Sequence, residues 1–135
     1  MDGRFEGNTI YIDLEVSGLL KNSFVSVIPV ILDTGCTTDL ILTYTQAFPM
    51  GLTLVGIQDY TIADGSKVSF FECIGKVKFG NRTALASISI RPAGSPLMGV
   101  SLLRKMGYKL EIDFDKNKAT LTESKLLKNK VNHKA

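Results

Sequence analysis

Histidine is almost missing from this chain of 135 residues: there is one, His133, the third residue from the end. That excludes Ser-His-Asp and Cys-His arrangements from any folded site, together with zinc sites built on several imidazoles. Only two cysteines occur, Cys36 and Cys73, too few for a structural zinc cage or a disulfide-rich scaffold. They are not in a C-x-x-C pair and read as two unrelated core or loop thiols. Tryptophan is absent, and 12 glycines against 4 prolines point to turns rather than to linkers. Long apolar runs are missing too. The most apolar stretch, Phe24 to Leu32, is interrupted by Ser26 and Pro29 and is far too short to span a membrane. Met1-Asp2-Gly3-Arg4 does not open a secretory signal, so the expected location is cytoplasmic, with both thiols reduced.

An excess of positive charge is also missing from the body. The net charge is +3, but Lys125, Lys128, Lys130 and Lys134 lie in a stretch without acids, leaving 12 basic and 13 acidic residues elsewhere. No nucleic-acid or membrane partner is expected on that count. Residues 1–123 read as one domain and 124–135 as a basic, solvated, disordered tail. A composition with 44% apolar and 21% charged residues is that of a folded domain. Chemistry in this chain therefore rests on carboxylates, hydroxyls, lysines or backbone groups.

What is present is period two. Ile10, Ile12, Leu14 and Val16 alternate with polar residues, the pattern of a half-buried strand. Phe24 to Leu32 reads as a strand buried on both faces, with Pro29 arguing for an edge or a bulge. Leu40 to Leu42 is a short β-prone run, and Thr43 to Phe48 has room for one helical turn before Pro49 and Gly51. Asp64-Gly65, between β-prone arms in Asp59 to Phe71, predicts a hairpin with a type I′ turn. A second hairpin covers Ile74 to Ile90 and turns at Gly80-Asn81. Leu102, Leu103 and Met106 lie at helical spacing, with Gly107 as the cap, and Lys105 reads as a charge favoured by the helix dipole. Tyr108 to Phe114 and Lys118 to Leu121 form a last hairpin around Lys116-Asn117. The whole is mainly β, with one short helix towards the C-terminus.

The sharpest local feature is Ile31-Leu32-Asp33-Thr34-Gly35, an aspartate at the mouth of a buried strand. There its ionisation has to be stabilised or suppressed. The Thr34 hydroxyl can hold nearby backbone, and Gly35 permits close approach of another segment. Cys36-Thr37-Thr38-Asp39-Leu40-Ile41 follows, then the hairpin tipped by Ala63-Asp64-Gly65, then Pro96-Leu97-Met98-Gly99 and Lys109-Leu110-Glu111-Ile112-Asp113-Phe114. This ordered set resembles the single-domain, retropepsin-type aspartic proteases over roughly Gly7 to Leu121. It is closer to their bacterial and shuttle-protein relatives than to the viral enzymes. Cys36 stands where the family usually has Ala or Ser, and Val100-Ser101 replaces a basic-polar pair of the viral branch.

The resemblance implies the all-β acid-protease fold, a closed β-barrel with one short C-terminal helix, acting as a homodimer. It implies Asp33, Thr34 and Gly35 as the catalytic loop and a substrate-binding flap at Ile62, Ala63, Asp64 and Gly65. Leu97, Met98 and Gly99 would support the loop from beneath. It implies no metal and no organic cofactor, and a peptide or protein as substrate. Aspartic-protease chemistry needs two carboxylates sharing a proton, and Asp-Thr-Gly occurs once here. Asp113 and Asp115 sit in an alternating strand and a turn, where a solvated role fits. The second aspartate is thus expected from Asp33 of another copy, on a two-fold axis. The alternative is a non-catalytic dimeric module of the same fold that binds peptides or holds an assembly together.

Overall fold

A computed structural model describes residues 2–124 of the chain. The expected basic tail, and His133 with it, lies outside the described residues apart from Ser124. Strands dominate: β1 (Asp2–Glu6), β2 (Thr9–Ser17), β3 (Val25–Leu32), β4 (Leu40–Thr43), β5 (Thr53–Thr61), β6 (Lys67–Phe79), β7 (Arg82–Arg91), β8 (Leu97–Met98), β9 (Tyr108–Asp113) and β10 (Lys118–Glu123). Helices are few: α1 (Tyr44–Ala47), running into a 3-10 turn at Phe48–Met50, and α2 (Val100–Met106). None of the described helices is long and apolar enough to cross a membrane.

The strands hydrogen-bond in the order β5-β6-β7-β4-β8-β3-β2-β1-β10-β9, and β6 also pairs with β2. Pairings therefore run in a ring through β6, β7, β4, β8, β3 and β2. Most neighbours are antiparallel hairpin partners, as short connections require. Two pairs are parallel, β3 with β8 and β4 with β7, and both flank the segment that follows Leu32.

The alternating pattern of β2 buries Ile12, Leu14 and Val16, which meet Ile28, Val30 and Leu32 of β3 inside the sheet. Leu40 and Leu42 of β4, Val77 of β6 and Ile88 of β7 complete the same core. Each such side chain contributes about 1.5–3 kcal/mol when fully buried. Leu102, Leu103 and Met106 press α2 onto this core, and Gly107 ends the helix with a left-handed φ of 72°. The second and last hairpins turn at Gly80-Asn81 and at Lys116-Asn117, with φ of 61° at Gly80 and 47° at Asn117.

Two readings of the sequence differ from the structure, and one strand was not read at all. Only alternate residues of β3 are buried: Val25 and Val27 are more than half exposed. Beyond its β2 side, β3 meets β8 only at Ile31 and Leu32, so Pro29 lies on a free edge, where a missing N–H is tolerated. At the β5–β6 tip, Gly65 alone takes a positive φ, 87°, and its N–H donates to Ile62 O. That is a turn followed by a left-handed glycine, and not type I′, which demands positive φ at Asp64 as well. Asp64 instead accepts hydrogen bonds from the N–H and hydroxyl of Ser66, which hold its carboxyl below the usual value. Asp2–Glu6 is a strand despite its weak pattern, because β2 and β10 supply rungs on both sides. The helical turn expected over Thr43 to Phe48 forms as α1, closed by a reciprocal capping box between Thr43 and Gln46.

Candidate active site

β3 carries the chain from the core to the surface, and the strand ends one residue before Asp33. Parallel pairing sets Ile31 against Leu97 and Leu32 against Met98. The rungs continue into the loop: Ile31 N–H donates to Pro96 O at 2.9 Å, and Asp33 N–H to Met98 O at 3.0 Å. At the far end of the loop, Gly99 N–H donates to Asp39 O at 3.0 Å. Both ends of the segment 33–39 are thus fastened to Leu97–Gly99. A Cβ at Gly99 would come within 2.1 Å of Thr38 O and 2.7 Å of Cys36 O, so backbone lies against backbone there.

Within the loop, Asp33 is half-buried and its Oδ1 accepts the Gly35 N–H at 2.9 Å. Cys36 N–H closes the turn onto Asp33 O at 3.1 Å. Thr34 and Gly35 are exposed, and the Thr34 hydroxyl makes no hydrogen bond among the described residues. Cys36 is half-buried with its thiol 3.4 Å from Thr38 O, and Cys73 is a separate buried thiol whose pKa burial raises. The structure therefore fastens Asp33 to Met98 and sets Cys36, Thr38 and Asp39 against Gly99, while Thr34 and Gly35 stand at the exposed tip of the loop.

Ile62, Ala63, Asp64 and Gly65 are placed differently. They form the exposed tip of the β5–β6 hairpin, and the hydrogen bonds of that tip are internal to it. Within the hairpin Tyr60 OH donates to Glu72, and Arg91 of β7 ties the hairpin to its neighbour, stacked 4.8 Å from the Phe70 ring. Register places Ile31, Leu97, Ile41, Ser89 and Glu72 in one row across five strands. Opposed residues share a face, so the Glu72 side chain lies on the sheet face that carries Ile31.

The fold has a solved counterpart. No family model matches the chain, and no curated protein matches it. Among solved structures it is similar to an EIAV protease complexed with the inhibitor HBY-793, a retroviral enzyme, with a TM-score of 0.56 at 17% identity. The match covers 75% of this chain and 90% of that one. The fold is retropepsin-like.

On this retropepsin-like frame one charged residue stands out that sequence reasoning passed over. Asp39, 5% exposed, accepts hydrogen bonds from Ser101 Oγ at 2.6 Å, Ser87 N–H at 3.0 Å and Lys105 Nζ. Burial pushes its carboxyl up. The hydrogen bonds from Lys105, Ser101 and Ser87, with the Lys105 charge, outweigh that and hold it below the ordinary carboxylate value. Lys105 thus serves as the partner of a buried acid, rather than as a free charge at the end of a helix. A signal was present in the sequence: an acid directly before the apolar run Leu40 to Leu42, with Ser101 and Lys105 four apart on one helix.

Asp113 is exposed and accepts only the N–H of Lys116, and Asp115 is exposed. No group of three or more His, Cys, Asp or Glu side chains gathers as a metal site among the described residues. An apolar notch of about 480 Å³, bounded by Tyr44, Phe48, Leu54, Phe71 and Ile90, lies beside α1 and does not include Asp33.

Proposed function

We propose that this chain is an aspartic endopeptidase that works as a homodimer, with one Asp33 from each copy. The observation that carries the reading is the setting of Asp33. It is a half-buried carboxylate at the end of a core strand, oriented by the Gly35 N–H and braced on Leu97–Gly99, in a retropepsin-like fold. One chain supplies one such carboxylate, and acid-base hydrolysis of an amide needs a second. A two-fold axis beside the loop brings the two together.

Two carboxylates a few ångströms apart hold one proton between them, since both cannot ionise easily. The charged one takes a proton from a water molecule as its oxygen attacks the peptide carbonyl carbon. The protonated one donates to the carbonyl oxygen, giving a tetrahedral diol. Collapse re-forms the carbonyl, breaks the C–N bond and returns a proton to the leaving nitrogen. Water and the two carboxylates complete this reaction without a metal or organic cofactor. The free Thr34 hydroxyl suits a contact across the axis. The two β5–β6 hairpins, with Ile62, Ala63, Asp64 and Gly65 at their tips, would close over an extended peptide and exclude water.

The test is digestion of a peptide library by wild type and Asp33→Asn side by side, with sedimentation of both. The expected result is a dimer in each case, cleavage by the wild type with a bell-shaped pH–rate profile, and no cleavage by the variant. A wild-type dimer that binds peptides without cutting them would assign the non-catalytic module instead. Cleavage retained in Asp33→Asn, or by a strict monomer, would refute the proposal.

A further inference from the structure

Asp39 lies six residues beyond Asp33, too deeply buried to meet a substrate. Removing an ionised carboxylate from water is costly, and an apolar side chain would fill the same space without that cost. What the charge supplies is connection. Its two oxygens take donors from α2 (Ser101 Oγ and Lys105 Nζ) and from β7 (Ser87 N–H), while its own carbonyl takes the Gly99 N–H. Lys105 is the one charged group paired with it among the described residues.

These contacts close a mechanical circuit. Asp33 N–H is fixed to Met98 O, Gly99 N–H to Asp39 O, and α2 begins at Val100, immediately after Gly99. With Thr38 O and Cys36 O against Gly99, any shift of α2 is passed to the loop that carries Asp33. The carboxylate of Asp39 supplies directional ties between α2 and β7. Leu102, Leu103 and Met106 hold the helix to the core through contacts with little directionality.

We infer that Asp39 is a positioning residue: its carboxylate locks α2 and β7 onto the far end of the 33–39 loop and so fixes the placement of Asp33. The inference rests on the reading of Asp33 as catalytic, and it deepens that reading. Hydrolysis by a carboxylate pair tolerates little misplacement; an error of about 1 Å costs on the order of 100-fold in rate.

The experiment compares wild type with Asp39→Asn, Ser101→Ala and Lys105→Met, each as the full chain, by amide hydrogen exchange and by cleavage kinetics. Asn keeps the size of Asp39 and one acceptor oxygen but loses the charge. Exchange at the Asp33 and Gly99 amides should speed up by about tenfold or more in Asp39→Asn, with the β9–β10 amides unchanged. For the same variant, kcat should fall about 10- to 100-fold while KM stays within about threefold. Ser101→Ala and Lys105→Met, each removing one tie, should lie between. Unchanged exchange at both amides, or unchanged kcat, in a folded Asp39→Asn protein overturns the inference. Should that variant not fold, unchanged exchange in both of the other variants overturns it. A wild type that cleaves nothing counts against Asp33 as the catalytic group, whereas the exchange result decides the role of Asp39 as a brace by itself.

Discussion

Replacing Gly99 by alanine isolates the packing beneath the Asp33 loop from every other property of the residue. Gly99 has φ −90° and ψ 166°, an extended conformation open to any amino acid, so alanine introduces no backbone strain of its own. The difficulty is space. The new methyl carbon would lie 2.1 Å from Thr38 O and 2.7 Å from Cys36 O, whereas real Cβ contacts stay beyond 3.0 Å. Thr38 O would have to retreat by about 1 Å, and it is backbone rather than the tip of a flexible side chain. Forced overpacking of this kind costs about 1–3 kcal/mol. The same displacement pulls on the Gly99–Asp39 and Asp33–Met98 rungs, at about 1 kcal/mol each. The expected loss is about 3–5 kcal/mol, a large share of a typical stability of about 5–15 kcal/mol. In a thermal melt that is a fall of about 10–20 °C. Gly56→Ala is the control: a Cβ there meets nothing within 4 Å, and its melt should stay within about 2 °C of wild type. A Gly99→Ala protein melting within about 3 °C of wild type, or an equal drop in both variants, refutes the argument.

Acid stability should follow Asp39. Its folded pKa lies below the ordinary value of 3.8, so its contribution is complete above about pH 4 and is lost as pH falls through the folded value; melts from pH 5 to pH 2.5 should decline more steeply for wild type than for Asp39→Asn, and parallel declines would contradict the assignment. Arg82 donates to Met106 O at 3.1 Å and Gly107 O at 2.9 Å, at the end of α2, and its guanidinium stacks on Tyr108. Arg82→Ala should cost about 2–3 kcal/mol by urea denaturation, and Arg82→Lys should restore only part of it, because an ammonium can reach the two carbonyls but has neither the plane that stacks on Tyr108 nor the second nitrogen that meets Glu123; full recovery by lysine would refute that geometry.

The elements that could be read from the sequence are those whose cause is local. Alternation identified β2 and the return strand through Ala84, Ala86, Ile88 and Ile90, since each pattern is complete within ten residues, and the turn signal Gly80-Asn81 marked the hairpin between β6 and β7. Gly107 and Asn117 marked a helix end and a turn through their own conformational tolerance. β1 was not legible, because Asp2–Glu6 has no apolar alternation and becomes a strand only between β2 and β10. The outer face of β3 was misjudged because its apolar side chains, Val25 and Val27, are exposed in the folded chain. Composition cannot distinguish an apolar residue that is buried from one that is left on an edge.

The candidate site divides along the same line. Asp33, Thr34 and Gly35 are contiguous, and their local geometry, a carboxylate accepting the N–H two residues on, follows from the tripeptide itself. What braces the loop that carries it is not contiguous. Asp39 finds its hydroxyl and ammonium donors 62 and 66 residues further along the chain, in Ser101 and Lys105. Two parallel pairings, β3 with β8 and β4 with β7, are what bring α2 to the loop, and neither has a signature in sequence periodicity. A motif of three residues arises readily by chance in a loop, whereas the brace behind it needs partners far apart in the sequence. Without Gly99 and Asp39 the 33–39 loop would lose the contacts that fasten its far end to Leu97–Gly99 and to α2. The buried charge and the crowded glycine behind the loop set Asp33 apart from a chance Asp-Thr-Gly more than the tripeptide does.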